Sequence, residues 1–258
     1  MTRALVTGGA ARLGRAMVLS LARRGYDVAI HYHSSDTAAR DLARELQDGS
    51  GERGVALGAD LLDEADTAGL VDRAAEALGG PLTLLVNNAS IFEPDAHIDA
   101  TRDDWDRHLG SNLRAPFVLG QAFARQVPAP AADPEPLAQG LIVNMIDQRV
   151  AKLTPQFATY TLAKSALWTL TQTSAQAFAP GVRVNAIAPG PTLQGARQSD
   201  QAFAAQRAAT ILGRGADEGQ IVRALDYLID QLSVTGQMLF VDGGQHLGWR
   251  TPDTETGE

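Results

Sequence analysis

The feature that most constrains this chain is the alternation of short apolar runs with amphipathic stretches along its whole length. Apolar runs occupy residues 4–7, 28–32, 55–59, 82–86, 141–146, 182–187 and 238–241. Stretches rich in Ala, Leu and Arg, with helical periodicity, lie between most of them, as at 13–24, 37–47 and 65–78. A strand that is apolar at successive positions is buried on both faces, so helices must cover both sides of one parallel sheet. Right-handed crossovers then give an α/β fold: a single-domain, doubly wound Rossmann-type parallel sheet of about seven strands. The 258 residues suffice for one such core. Residues 1–250 are assigned to this domain, and the polar, acidic residues 251–258 are expected to form a disordered tail.

Two segments depart from the rhythm. Residues 127–139 are rich in Pro and Ala and are expected to form a surface loop. Residues 191–215, with Gly195, Gly213 and Gly215, follow the sixth strand and are a candidate mobile lid, because loops at strand C-termini border the ligand crevice of an open sheet.

Composition narrows the function classes. A formal net charge of -8 argues against nucleic acid as a partner, since phosphate backbones select basic surfaces. The absence of cysteine removes disulfides, thiolate nucleophiles and thiolate metal sites. The chain opens Met1-Thr2-Arg3 directly into an apolar strand, and no run reaches the ~18 apolar residues of a membrane span. The expectation is a soluble, cytoplasmic protein without a membrane partner.

The first strand runs into Thr7-Gly8-Gly9-Ala10-Ala11-Arg12-Leu13-Gly14 and then a helix. Glycines there let backbone approach a pyrophosphate, and the helix N-terminus offers free N–H groups and a positive dipole. An NAD-specific site would place a carboxylate at the end of the second strand to hold ribose hydroxyls. That strand instead ends His31-Tyr32-His33-Ser34-Ser35, with Asp36 placed near a helix cap. Neutral donors and the Arg12 guanidinium suit a 2′-phosphate, so the expected cofactor is NADP(H). Asp60, followed by Leu61, ends the third strand and can accept from an adenine amino group; capping the next helix is the alternative.

Asn87-Asn88-Ala89-Ser90 ends the fourth strand. Tyr160 and Lys164 stand four apart on a helix, one turn from each other. An ammonium beside a phenol favours phenolate, so the pKa of Tyr160 is expected to fall from ~10 towards neutral and make it a usable proton donor. Asp147 lies thirteen residues before Tyr160. His97, His108 and His246 have no ligand-like spacing, and no metal is assigned.

Taken in order, Thr7 to Gly14, Asn87 to Ser90, Ser111-Asn112, Tyr160 to Lys164 and Pro189-Gly190 resemble the motifs of the short-chain dehydrogenase/reductase family, over about residues 3–249. Its glycine turn is Thr-Gly-x-x-x-Gly-x-Gly, and here Arg12 replaces the middle glycine. Val241-Asp242-Gly243-Gly244 is similar to its C-terminal strand signature. The resemblance implies that Tyr160 is the acid/base, Lys164 its pKa partner and ribose anchor, and Asn112 the support for a relay water. It also implies that Gly8, Arg12, Leu13, Gly14, Asn88, Ala89, Ser90, Pro189 and Gly190 line the cofactor cleft together with His33, Ser34, Ser35, Asp60 and Leu61. Where the family has Ser to donate to a ketone oxyanion, this chain has Asp147, which would repel one and suits a reacting nitrogen that must gain a proton.

One branch is closer still, the pteridine reductases and dihydromonapterin/dihydrofolate reductases. His31-Tyr32-His33-Ser34-Ser35 resembles their His-Tyr-His-Arg-Ser, with Ser34 in place of the phosphate-gripping Arg. Asn88-Ala89-Ser90-Ile91-Phe92 and Asn144-Met145-Ile146-Asp147 resemble their pterin-binding and active-site Asp segments. This implies a substrate held by Ser90, Phe92, Asp147 and Tyr160, with the pterin ring between nicotinamide and Phe92. It also implies a homotetramer joined through helices near 104–125 and 159–178, with residues 247–250 of a neighbour approaching the pocket. The alternatives are a general carbonyl or 3-oxoacyl reductase on the same scaffold and a non-catalytic NADP-binding protein. Retained Tyr160, Lys164 and Asn112 argue against the last.

Overall fold

The computed structural model describes residues 2–49, 51–132 and 134–249. Seven parallel strands form one sheet in the order β3-β2-β1-β4-β7-β8-β9, with β1 Thr2–Val6, β2 Tyr26–Tyr32, β3 Gly54–Gly58, β4 Leu84–Asn87, β7 Gly140–Met145, β8 Val182–Pro189 and β9 Met238–Val241. Strand order reverses between β1 and β4, which opens a crevice beyond their C-terminal ends. The expected strands are all present, with ends that match or shift by at most two residues. Leu82 stands outside β4 because the Gln126 carboxamide takes both its N–H (2.7 Å) and its carbonyl (2.9 Å).

Helices cover both faces: α1 Arg12–Arg23, α2 Asp36–Gly49, α3 Glu64–Leu78, α4 Arg102–Leu109, α5 Ala115–Gln126, α6 Ala158–Ala177, α7 Asp200–Ala208 and α8 Glu218–Asp230. Alternate residues of β1 explain the two cores: Ala4 and Val6 pack with α1, α2 and α8, while Leu5 packs with α3 and α5. Two expectations need correction, and the candidate lid carries a helix. The segment 127–139 is not all loop, because β5 Ala131–Ala132 and β6 Pro136–Leu137 pair as a small antiparallel hairpin. The 191–215 segment carries α7. The continuous helix expected over 104–125 is interrupted by a π-helical turn at Gly110–Arg114. There the Asn112 side chain donates to the His108 carbonyl (3.1 Å), the group that an uninterrupted helix would offer to the N–H of Asn112. The tail 251–258 lies outside the described residues. Among the described residues no helix is long and apolar enough to cross a membrane.

One buried charge ties the sheet to a helix end. Arg183 of β8 is 8% exposed, and its guanidinium donates to the carbonyls of Leu228, Ile229, Gln231 and Val234 at 2.8–3.2 Å. These include the last, otherwise orphaned carbonyls of α8. Burial lowers the pKa of Arg183, yet the cap keeps a planar donor fork where carbonyls converge. An Arg183→Met variant strands those acceptors and is expected to lose about 3 kcal/mol in urea unfolding, an order-of-magnitude figure for uncapped buried acceptors. Retention of parental stability would show the cap to be dispensable.

Candidate active site

The crevice at the β1/β4 reversal is a cleft of about 420 Å³. Its floor is the turn after β1, with Gly8 at φ +60°. Thr7 Oγ1 accepts from the N–H groups of Asn88 (2.9 Å) and Ala89 (3.0 Å), while Asn88 Nδ2 donates to the carbonyls of Thr7 and Gly8. His31 secures the other side: its Nδ1 accepts from Gly8 N–H (3.0 Å), which leaves the proton on Nε2, facing the Ala59 carbonyl at 3.2 Å. Burial pushes the His31 pKa down to about 4, so the ring stays neutral. A Cβ on Gly14 would stand 2.1 Å from the Gly8 carbonyl oxygen, so α1 and the turn approach to a distance only glycine permits.

The N-terminus of α1 has no side-chain cap, in contrast to α3, α4, α7 and α8, which Asp63, Thr101, Ser199 and Asp217 cap. Its free N–H groups face the cleft, ready for an anion. Gly8, Arg12, Leu13 and Gly14 line the cleft with His33, Ser34 and Ser35 on one side and Asn88, Ala89, Ser90, Pro189 and Gly190 on the other. Among the described residues no carboxylate lines it. Asp60 sits outside it, its Oδ2 3.9 Å from His33 Nε2. The cap of α3 is Asp63, so the capping alternative for Asp60 is corrected; Asp60 Oδ1 instead accepts from Leu62 N–H (2.9 Å). Leu61 packs against the core beneath.

Arg12 differs from expectation in direction. It takes a left-handed backbone (φ +51°), and its guanidinium donates to Gln194 (3.0 Å) and Leu193 (3.4 Å) carbonyls in the loop after β8. It spans the cleft instead of pointing freely into it.

The second cluster forms where α6 begins. Tyr160 (5% exposed) donates its hydroxyl to Asp147 Oδ2 at 3.0 Å. Asp147 Oδ1 is held by Arg149 N–H (2.8 Å), which turns the other carboxylate oxygen to Tyr160. Lys164 (2% exposed) donates to the Met145 carbonyl at 2.8 Å, and its Nζ lies 5.7 Å from the centre of the Tyr160 ring. The expected fall in the Tyr160 pKa does not occur. Burial first, then the Asp147 carboxylate, push it well above 10. Burial also raises the Asp147 pKa, and burial brings Lys164 down to about 8, with Asp147 opposing. The arrangement holds a neutral phenol and a carboxyl that takes a proton readily. Asn112 is fully buried; its Oδ1 accepts from the Ser90 hydroxyl (2.6 Å) and its Nδ2 donates to the Ile91 carbonyl (2.9 Å).

Phe92 (43% exposed) stacks on Phe157 at 4.5 Å and meets the edge of Tyr160 at 4.7 Å. Phe157 and Arg149 are site residues that sequence reasoning missed. Phe157 adopts φ +57° just before α6, and Arg149 lies 4.6 Å over its ring. In sequence His31 is one member of a motif; its role shows in the hydrogen bonds. His108 accepts from Glu93 N–H and bonds Thr159, while His246 bonds Asp242 and stacks on Phe240. Leu247 and Trp249 are exposed, and Arg250 lies outside the described residues.

Lys164 is charged below about pH 8 and neutral above it. The value of kcat/KM for varied nicotinamide cofactor reports free-enzyme groups. It is expected to fall above about pH 8 in the parent enzyme. In Lys164→Arg, slower by at least roughly tenfold for lost fit, that alkaline limb should vanish because guanidinium stays charged. A limb unchanged in the variant would assign it to another group.

A family model described as enoyl-(acyl carrier protein) reductase matches residues 8–246. The structure of FolM alternative dihydrofolate reductase 1 from Brucella suis, in complex with NADP, superposes with a TM-score of 0.90 at 45% identity, covering 98% of both chains. A short-chain dehydrogenase/reductase of Armillaria gallica is 30% identical over 93% of this chain and 94% of its own length. The 3-oxoacyl-[acyl-carrier-protein] reductase FabG of Staphylococcus aureus is 28% identical over 95% and 98%. With the glycine turn, the Tyr160–Lys164 helix and the sheet order in place, the chain belongs to the short-chain dehydrogenase/reductase family of oxidoreductases.

Proposed function

We propose that this protein is an NADPH-dependent reductase of a C=N bond in a dihydropteridine. The observation that carries this reading is the Tyr160–Asp147 hydrogen bond. A carboxylate at this position repels an oxyanion but serves a nitrogen that gains a proton. The B. suis neighbour, crystallised with NADP, supports the choice of branch and cofactor. The cleft fits that cofactor: its uncapped α1 N-terminus suits a pyrophosphate, and a wall of His33, Ser34 and Ser35, with no carboxylate among the described residues, suits a 2′-phosphate. When bound, NADPH supplies the hydride.

The chain's own residues supply position and protons. Lys164 holds positive charge beside Tyr160 while anchored to Met145. Tyr160 gives its proton to the substrate nitrogen, and Asp147, its carboxyl poised by burial, carries the proton that restores the phenol. Ser90, fixed by Asn112, and Phe92 hold the ring, and Phe92 excludes water from above the pair. Hydride to carbon and proton to nitrogen together turn C=N into CH–NH. The homotetramer expected from the sequence would form on α4, α5 and α6, whose Trp105, Phe117 and Leu162 are exposed.

NADPH oxidation with dihydrobiopterin and with a 3-oxoacyl thioester tests the reading. The pterin is expected to be turned over at least roughly a hundredfold faster, and Asp147→Ser should lose about that factor on the pterin, the usual size of a positioned proton donor. Faster reduction of the ketone by the parent chain would favour the 3-oxoacyl reductase reading that the FabG relative represents.

A further inference from the structure

Three guanidiniums border the two clusters without a carboxylate in ion-pair range among the described residues: Arg12, Arg149 and Arg197. Arg12 is committed to the backbone across the cleft. Arg149 is different. It lies over Phe157 at 4.6 Å and 5.9 Å from the centre of the Phe92 ring, and its one side-chain hydrogen bond is a 3.2 Å contact to Thr154 Oγ1. Thr154 belongs to the stretch 151–156, in which Ala151, Leu153, Pro155 and Gln156 are exposed. Buried Tyr160 thus touches half-exposed Phe92, and Arg149 lies beyond that ring at the outer edge of the cluster. Arg197, in the loop between β8 and α7, donates to the Phe92 carbonyl at 2.8 Å and brings a second positive charge to the same rim.

A guanidinium stacked on an aromatic face keeps its N–H edge free for a bidentate carboxylate, and stacking fixes the fork before the ligand arrives. The acidic groups near Phe157 form no ion pair with Arg149 among the described residues. Asp95 accepts the N–H and hydroxyl of Thr159, Asp104 those of Thr101, and Asp95, Asp99 and Asp104 line a separate cavity that Phe157 borders. Asp147 spends one oxygen on the Arg149 backbone and the other on Tyr160. In a chain of net charge -8, an unpaired cationic rim at the mouth of a site is a selective feature.

We propose that Arg149, assisted by Arg197, is a specificity-determining site for a carboxylate on the substrate's side chain, so that the preferred dihydropteridine carries an acidic tail and not a neutral polyol. This inference rests on the pterin reading. The test compares dihydrofolate, with a carboxylate-bearing tail, and dihydrobiopterin, with a neutral one. In the parent, kcat/KM should favour dihydrofolate. In Arg149→Met that preference should drop about tenfold through KM, the size of one lost charge-assisted contact; Arg149→Lys should restore part of it. Dissociation constants of the two pterins for the NADP+-loaded enzyme, read by fluorescence, should shift in parallel, and Arg197→Met should lower the preference by a smaller factor. NADPH affinity checks that each variant is folded, and Arg149→Lys and Arg197→Met carry the test if Arg149→Met is not. A preference for the acidic pterin that is absent in the parent, or unmoved in these variants, overturns this inference alone. Reduction of neither pterin overturns the C=N reading and this inference with it.

Discussion

A buried phenol and a partly buried carboxyl group sharing one hydrogen bond set the terms for the rest of this site. Tyr160 and Asp147 cannot both be ionised 3.0 Å apart in a desolvated setting, because the repulsion is scarcely screened. Burial and Asp147 therefore keep Tyr160 protonated, and burial raises Asp147. What prevents the pair from becoming an inert hydrogen bond is the charge around it. Lys164 sits one helical turn away with its pKa brought to about 8, still positive at neutral pH, and the Arg149 N–H stabilises the other carboxylate oxygen. The result is a proton held between two acceptors of tuned affinity.

That pair demands an unusual amount of order from the backbone, and the fold supplies it at irregular points. Asp147 follows β7, where its carboxylate also caps the short turn Gln148–Val150. Tyr160 enters near the start of α6, after Phe157 has taken a left-handed conformation that costs on the order of 1 kcal/mol for a residue with a Cβ. The π turn at Gly110–Arg114 lets the Asn112 carboxamide meet Ser90, Ile91 and His108 at once, with its polar atoms satisfied although it is fully buried. Each irregularity lies beside the site, and the sheet itself is regular, so strain is confined to where geometry is needed.

The same distinction explains what could be read from residues alone. Continuous apolar strands point to a sheet covered on both faces, and the glycine turn and the Tyr160–Lys164 spacing mark the floor of the cleft and the second cluster, because those features depend on local geometry and fixed periods. Phe157 and Arg149 left no such mark. Their importance comes from contacts across loops, a ring on a ring and a cation on both, which have no period in sequence. His31 looked like a generic member of a motif, although the hydrogen bonds of its two nitrogens lock the turn after β1 to the end of β3. The spacing alone points the Tyr160 pKa downward, because it reports the cation and says nothing of burial or of the acid that follows β7.

Arg12 shows how a local rule can yield to a long-range one. At φ +51° a glycine would be the easier residue, and the turn already carries glycines at 8, 9 and 14. Glycine, however, has no side chain to cross the cleft. The guanidinium of Arg12 ties the first turn to the carbonyls of Leu193 and Gln194, while Arg197 from the same loop reaches the Phe92 carbonyl on the far wall. The loop after β8 is thus fastened to both sides of the crevice by arginines whose partners are backbone carbonyls. Such bonds are neutral at the acceptor end and weaker than a carboxylate pair, so an incoming phosphate or carboxylate outcompetes them. Backbone strain at Arg12 therefore stands against a tie across the crevice that glycine could not make.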